Sequence, residues 1–452
     1  MARSLDIVER LPKSVELFDR PQFRPLVAWW TVFVLMTLNA CSLIDRQIMS
    51  MIVVDMKADM GLTDFQISLL QGLAFALFYG IFGLALGSII DRYPKRVVVY
   101  ICITFWSLSA SITGLARSYG TMVFARMGVG AGEGGVNPAS QSLIASLFPS
   151  GKISLPMSIF AGSGSIGMAL SYLIGGALLD AVSKHSFPGL EGLAPWRQVL
   201  VITSVPGVAI AFLAFTLTEP SAAKAKQRDN RTSWADFGRF LMKERDLYGR
   251  LLVGYGLTAL MTYSVISWAP TYARRVLDMT PTTVGAFLGA IDLVGGIVGM
   301  AALGWIVDRQ FSRGHHDFVV RTYLVSVALT LPLTILGFLA DRADLYIVAM
   351  IATKCVLCTC YGPGMAILQI VTPPAFRGRT AALMLLTIAM FGYAAGPVSA
   401  GAVTDFVFHD AAHVGASLAV VLAVTGPIAT WCIWSSGPLL RQRIPARQLE
   451  TH

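Results

Sequence analysis

Charged residues inside long apolar stretches are the feature of this sequence most directly tied to chemistry. Residues 119–147 are apolar enough to cross a membrane as a helix, yet they include Arg126 and Glu133. Either charge costs at least ~3 kcal/mol at the centre of a bilayer, so a spanning helix keeps one only beside a partner or a wet cavity. Their spacing is close to two helical turns and places both side chains on nearly the same face. The stretch is therefore predicted to line a polar cavity inside a membrane protein.

A second pair of charges, Asp45 and Arg46, lies in the first apolar stretch. Adjacent residues on a helix point about 100° apart, so one of the two is expected to face residues 119–147 and the other the central cavity. By depth in the membrane, Asp45 is predicted to pair with Arg126, with Glu133 lower, near mid-membrane. A purely structural ion-pair cluster is the alternative, but buried pairs rarely repay their desolvation, which favours a functional role.

Two chemical roles follow from these residue types. An Arg side chain can hold a phosphate or carboxylate through two hydrogen bonds, so Arg46 is the first candidate for substrate binding and Arg126 the second. A carboxylate in a half-dry site can change protonation when a substrate anion takes its Arg partner. Asp45 and Glu133 are therefore the candidate proton carriers.

A later apolar stretch contributes Lys354, at a depth similar to that of Arg126. It is predicted to supply a second positive wall of the cavity and is the third candidate substrate-binding residue. Asp292 lies at mid-depth in another stretch and is its candidate partner.

Composition sets the class of protein that must position these residues. The chain has 452 residues, of which 55% are hydrophobic and 13% charged. Soluble domains average ~25% charged residues, so this is the composition of a membrane protein. Apolar runs predict an all-α membrane protein with twelve transmembrane helices in two six-helix, pseudo-symmetric halves. The twelve spans are 25–54, 64–90, 97–116, 119–147, 156–180, 197–217, 248–272, 282–307, 318–340, 345–371, 381–406 and 414–436.

The distribution of Lys and Arg predicts the orientation. Loops on the side of the two termini carry 25 of these residues and the opposite loops carry seven. This asymmetry places both termini in the cytoplasm, for a multi-pass protein of the plasma (inner) membrane. It also accounts for the net charge of +9, so nucleic-acid binding is not predicted.

The predicted domain organisation has five parts. A polar segment (1–24) precedes the first six-helix half (25–218), and a charged linker (219–247) separates it from the second half (248–436) and a tail (437–452). Within the linker, residues 234–240 form a candidate amphipathic helix on the membrane surface. Both tail and linker are expected to be cytoplasmic.

A repeated loop pattern relates the two halves. Gly87-Ser-Ile-Ile-Asp91-Arg92 ends the second span, and Gly304-Trp-Ile-Val-Asp308-Arg309 ends the eighth. One pattern at the same place in each half indicates an internal repeat. The charges can latch the halves together, or they can serve only to set topology. The repetition favours the latch, whose candidate gating residues are Gly87, Asp91, Arg92, Arg96, Asp308 and Arg309.

Two six-span halves, cytoplasmic termini and this loop pattern resemble the major facilitator superfamily over essentially the whole chain. The order of Asp45-Arg46, Phe105-Trp106 and the span-four run from Ala125 to Ala139, with Phe148-Pro149 after it, is similar to the Spinster subfamily. The resemblance implies alternating access between two rocking halves and, from the subfamily, transport of lysolipids or sphingosine phosphate.

The sequence thus predicts a proton-coupled secondary transporter of an amphipathic anionic lipid, such as a lysophospholipid or a sphingosine-phosphate-like molecule. The alternative is a proton-coupled transporter of small organic anions, such as sugar acids or carboxylates. A lipid path should be apolar and open sideways, whereas a small-anion site should be closed and ringed by Asn, Gln and Tyr. The spans contain few Asn and Gln, which favours the lipid; they are Asn39, Gln71, Asn137, Gln141 and Gln369.

Other classes of function find less support. The glycine run at residues 128–132 lies in an apolar span without a preceding strand, so a dinucleotide site is not predicted, and the sequence has no P-loop. Cys355, Cys358 and Cys360 have no His near them, so no metal site and no cofactor are expected. A non-transporting receptor would not need the repeated latch. The expected partners are an anionic substrate, protons and the lipid bilayer, and the expected state is a monomer.

Overall fold

The computed structural model describes residues 24–90, 93–149, 152–219, 233–311, 313–314, 318–354 and 361–449. These residues form a bundle of helices without a strand among them. The predicted all-α class is therefore confirmed. Asp91, Arg92 and the three clustered cysteines fall outside the described residues, and Gly87 and Asp308 are described only as helical positions.

The described residues of the first half form nine α-helices. Two of its predicted spans are single helices and the other four are interrupted or extended by short segments. The elements are α1 (Pro25–Gln47), a 3-10 turn (Ile48–Ser50), α2 (Val53–Met60), α3 (Asp64–Gln71), α4 (Leu73–Ile90), α5 (Lys95–Leu115), α6 (Tyr119–Glu133), α7 (Val136–Leu147), α8 (Ser154–Lys184), α9 (Pro195–Ala211) and a 3-10 segment (Phe212–Thr216).

The second half follows a short linker helix. Its helices include two π-helical segments in the eleventh span. The elements are the linker helix α10 (Trp234–Lys243), α11 (Arg245–Arg275), α12 (Pro281–Phe311), α13 (Phe318–Leu339), α14 (Ala343–Ala352), α15 (Tyr361–Val371), α16 (Arg377–Thr387), a π segment (Ile388–Ala395), α17 (Gly396–Val403), a second π segment (Thr404–Phe408), a 3-10 turn (Ala411–His413) and α18 (Val414–Leu449).

Length and apolarity account for most of the membrane spans. Within the described ranges, ten helical stretches are long and apolar enough to cross a bilayer. The fourth predicted span is divided into α6 and α7, and the tenth into α14 and α15 on either side of residues 355–360. The last helix continues to Leu449, beyond the predicted end of its span at residue 436.

Close backbone contacts occur along the fourth span up to the point where it is divided. A Cβ atom at Gly130 would lie 2.3 Å from the carbonyl oxygen of Phe75, and one at Gly134 would lie 2.8 Å from the backbone nitrogen of Gly83. Only glycine allows α6 to approach α4 this closely. These glycines therefore serve close helix packing.

The two halves meet at one end of the bundle, opposite the termini, which we call the distal end. Arg274 of α11 forms an ion pair with Asp55 of α2 at 2.6 Å. Arg275 forms one with Asp64 of α3 at 2.9 Å. The Asp405 carboxylate accepts a hydrogen bond from the backbone N–H of Phe65 at 2.6 Å, across the same interface. The distal end is therefore closed.

Glycine contacts between the halves reinforce this closure. A Cβ atom at Gly72, between α3 and α4, would lie 2.7 Å from the carbonyl oxygen of Tyr393 in the other half. One at Gly176 of α8 would lie 2.2 Å from the carbonyl oxygen of Pro281. A buried apolar cluster at this end contains residues of both halves, including Ile48 and Trp268. The distal interface is packed backbone against backbone.

The linker helix α10 packs against the second half. Phe237 on its buried face lies 5.7 Å, centroid to centroid, from Phe376 of the loop before α16. Arg379 donates a hydrogen bond to the carbonyl oxygen of Ser233, the residue that caps the helix. Trp234 and Met242 are exposed. The predicted helix is confirmed, and its place on the membrane surface stays a prediction.

Candidate functional site

A cavity of about 600 Å³ lies between the halves at mid-depth. It reaches from Arg46 on α1 to Gln141 on α7 and Met157 on α8, towards the proximal end of the bundle, where α1 begins and α18 ends. Ten of its 17 lining residues carry a polar group, while apolar atoms supply the larger share of its surface. Amide and phenol side chains form most of this polar wall, and they are Asn39, Tyr79, Asn137, Gln141, Tyr263 and Tyr393.

Arg46 is the central positive group of this cavity. Its guanidinium forms an ion pair with Glu133 of α6, and its Nε lies 3.1 Å from Glu133 Oε2. Its Cζ lies 4.4 Å from the ring centroid of Phe75, 5.5 Å from that of Tyr79 and 5.2 Å from that of Tyr393. Tyr393 comes from the second half, so Arg46 is held by groups from both halves.

The predicted pairing of Asp45 with Arg126 is wrong in this conformation. Arg126 is buried and donates from Nε to the carbonyl oxygen of Leu70 at 3.3 Å. Arg46, not Arg126, forms the ion pair with the carboxylate of α6. The prediction compared only the depths of Cα atoms along the two helices. It left out the length of an Arg side chain, which is more than the 5.4 Å rise of one helical turn.

Behind Arg46, three charged groups share a closed compartment. Asp45 is buried near Trp106, Arg126 and Glu133. Within the described residues, Arg126 Nη2 and Glu133 Oε1 are buried without a hydrogen-bond partner. Arg126, Asp45 and Glu133 are not among the described residues that line the cavity. Arg46 thus separates this compartment from the open space.

The second half supplies its own ion pair to the cavity. Lys354, two residues beyond the end of α14, pairs with Asp292 of α12 and lines the open space. Gly296 makes room for it, since a Cβ there would lie 2.7 Å from Ser165 Oγ and 3.4 Å from Lys354 Cε. The predicted pairing of Asp292 with Lys354 is confirmed.

Sequence reasoning missed part of the polar wall. The scarcity of Asn and Gln favoured an apolar path, but Asn39, Asn137 and Gln141 all lie on the cavity. Tyr79 and Tyr393 were not among the candidates. The spacing of Phe75 and Tyr79, one helical turn apart, could have indicated an aromatic face, whereas the approach of Tyr393 from the other half has no local signal.

The gating candidates are only partly described. Arg96 donates its backbone N–H to Glu219 at 2.7 Å. The Cζ of Arg309 lies 5.2 Å from the ring centroid of Trp305. With Asp91 and Arg92 outside the described residues, the latch stays a prediction.

Three curated relatives resemble this chain. An MFS-type efflux pump of Mycolicibacterium smegmatis is 24% identical over 93% of this chain and 95% of the relative. A probable L-galactonate transporter of Escherichia coli is 25% identical over 60% of this chain and 59% of the relative. Protein spinster homolog 1 of Xenopus tropicalis is 25% identical over 83% of this chain and 72% of the relative.

Solved structures resemble the fold. A bacterial homologue of the human lysosomal transporter Spinster, in an inward-facing and unoccupied conformation, has a TM-score of 0.79 at 19% identity, covering 94% of this chain and 99% of that one. The family model of the Major Facilitator Superfamily matches residues 35–397. Because this match spans most of the sequence, the chain belongs to the Major Facilitator Superfamily, whose members are membrane transporters and not enzymes.

Proposed function

We propose that this protein is a proton-coupled secondary transporter of a small organic anion, such as a sugar acid or another hydroxylated carboxylate, and that it works by alternating access. The single observation that carries the proposal is Arg46, which lies on a polar cavity and is neutralised by the buried carboxylate of Glu133. This arrangement combines a binding group for an anion with a group that can take up a proton.

Substrate binding would begin at Arg46. Its planar guanidinium can hold a carboxylate through two hydrogen bonds. Asn39, Asn137 and Gln141 can donate to and accept from hydroxyl groups of the same molecule. Lys354, paired with Asp292, borders the cavity from the second half and can turn to a substrate anion. A small hydroxylated anion satisfies these polar groups better than an alkyl chain does.

Proton coupling would follow from competition for Arg46. A substrate carboxylate that pairs with Arg46 displaces Glu133, whose carboxylate is 2% exposed. Leaving a buried carboxylate charged and unpaired is costly, and protonation removes that cost. Substrate and proton then enter together. Asp45, in the same compartment, is the second proton carrier and Arg126 the reserve partner for either carboxylate.

A lysolipid remains the second candidate substrate. Leu43, Met157, Phe160 and Met168 form an apolar patch on one wall of the cavity. The relative named spinster homolog 1 supports this class as well. The polar ring around Arg46 is the reason that we place the small anion first.

The remaining assignments are proposed with the function. The protein would act in the plasma (inner) membrane as a monomer with cytoplasmic termini, and the cavity described above would open towards the cytoplasm. Gly87, Asp91, Arg92, Arg96, Asp308 and Arg309 would latch the proximal end when the distal end opens.

A substrate screen with wild-type protein and the Arg46→Ala variant tests this proposal. We expect sugar acids to raise the unfolding temperature of the purified wild type and to be taken up by reconstituted vesicles. Arg46→Ala should lower their affinity about 10- to 100-fold, which corresponds to the ~1.5–3 kcal/mol of a charge-assisted hydrogen bond. Stabilisation and flux by lysophospholipids alone would instead establish the lipid as the substrate. Flux of neither class would contradict the proposal.

A further inference from the structure

The cavity has a second ion pair whose carboxylate has no role in the mechanism above. Asp292 is 7% exposed and lies on α12, beside Lys354 of the same half. Lys354 borders the open cavity, whereas Asp292 lies behind it. This is the arrangement of Arg46 and Glu133 in the first half: a cation on the cavity wall and a buried carboxylate behind the cation.

A buried carboxylate here has a cost that simple anion binding does not explain. Lys354 alone would attract an anion more strongly, since Asp292 cancels its charge. A buried ion pair also gives little stability compared with apolar side chains of similar volume. The carboxylate is therefore useful chiefly in the state in which Lys354 has turned to another anion.

Few other charges influence Asp292. Among the described residues, Lys354 is the charged group that acts on it. On α8, the residue near this part of α12 is Ser165, which packs against Gly296. Charged residues of the helices that pack against α12 lie near helix ends, several turns away; they are Asp180 and Lys184 on α8, Arg245, Asp246, Arg250, Arg274 and Arg275 on α11, Arg321 on α13 and Asp344 on α14.

We propose that Asp292 is a further proton-carrying residue, in the second half, which accepts a proton when a substrate anion takes Lys354. The proton would come from water in the cavity and bind one carboxylate oxygen, so that an O–H bond forms and the anion and proton together add no net charge. Release of the anion would return Lys354 to Asp292 and the proton to water. This inference rests on the proposed function and implies one exchange pair in each half.

The experiment removes Lys354 by substitution instead of adding an anion that would displace it from Asp292, so it needs no substrate. In Lys354→Gln, Asp292 loses its partner and should be protonated at pH 7. Infrared difference spectroscopy of the purified full-length protein should then show a protonated-carboxyl band that wild type lacks. The band should be absent from Lys354→Gln/Asp292→Asn, and Lys354→Met provides a second replacement if the Gln variant does not fold.

Three outcomes decide the matter. A band that appears with Lys354→Gln and disappears in the double variant supports the proposal. No band in a folded Lys354→Gln or Lys354→Met protein, or a band that persists in the double variant, overturns it. Arg46→Gln examines Glu133 in the same way, so a missing band there counts against the proposed function and leaves Asp292 to be judged by its own variants.

Discussion

At the scale of single residues, the site consists of two cations, each set in front of a carboxylate. Arg46 and Lys354 border the cavity, while Glu133 and Asp292 lie behind them. In the proposed mechanism, an anion in the cavity meets the cations first and displaces the carboxylates second. Under that proposal, the order of these groups makes protonation a consequence of binding.

Replacing Glu133 by Gln should separate binding from coupling. Glu133→Gln removes the proposed proton acceptor and leaves Arg46 available to the substrate. We expect substrate affinity close to that of wild type, together with uptake into reconstituted vesicles that no longer responds to an imposed pH gradient. Glu191→Gln, at an exposed loop glutamate, is the matched control and should retain the full response. A gradient response unchanged by Glu133→Gln would assign the proton to another group.

The sequence identified these residues but not all of their partners. Charges inside apolar stretches are conspicuous because of their cost, so Arg46, Glu133 and Lys354 could be selected without a structure. The pairing of these charges depends on side-chain length and on the rotation of each helix about its axis. The depth of a residue in the membrane gives neither quantity. Tyr393 contacts Arg46 because the two halves pack together. A local sequence pattern does not predict such a long-range contact.

At the scale of helices, glycines set how closely the walls of the site approach one another. Gly130 and Gly134 bring α6 against α4, which carries Phe75 and Tyr79. This contact holds Glu133 opposite Arg46. The same glycine-rich run contains the division between α6 and α7, although the sequence indicated one continuous span.

A methyl group at Gly130 should disrupt this contact. Gly130→Ala would place Cβ 2.3 Å from the carbonyl oxygen of Phe75, so the backbones must separate. We expect a loss of about 1–3 kcal/mol in stability, the usual cost of overpacking. Gly120→Ala in the same helix has nothing within 4 Å of its Cβ and should be neutral or slightly stabilising. Thermal unfolding in detergent compares the two. Equal unfolding temperatures for both variants would mean that α4 and α6 can separate freely.

At the scale of the molecule, the structure shows one of the two conformations that alternating access requires. Its distal end is closed by contacts between the halves, and its cavity extends towards the other end. The fold class and the two-half plan were predictable from hydropathy and the repeated loop. The conformation was not, because it depends on the balance of contacts at the two ends.

The ion pair between Asp55 and Arg274 should bias this balance. Reversing one charge, in Asp55→Arg, places two guanidinium groups together and should increase labelling of cysteines introduced at the distal end. The double variant Asp55→Arg/Arg274→Asp should restore closure. Arg342→Asp, in an exposed pair with Asp344 within one half, is the control and should leave labelling unchanged. Labelling that is equal in all four proteins would assign closure to the packing contacts alone.

The contacts that close the distal end differ in their sensitivity to ionic strength. Asp55 is partly exposed, so salt can screen its attraction to Arg274, whereas Asp64 is fully buried beside Arg275. The contacts of Gly72 and Gly176 with opposing carbonyl groups involve no net charge. Screening acts over about 8 Å in 0.15 M salt and reaches exposed pairs first. Concentrated salt on the distal side should therefore loosen the closed state only in part, and the rate of conformational exchange should level off at high salt.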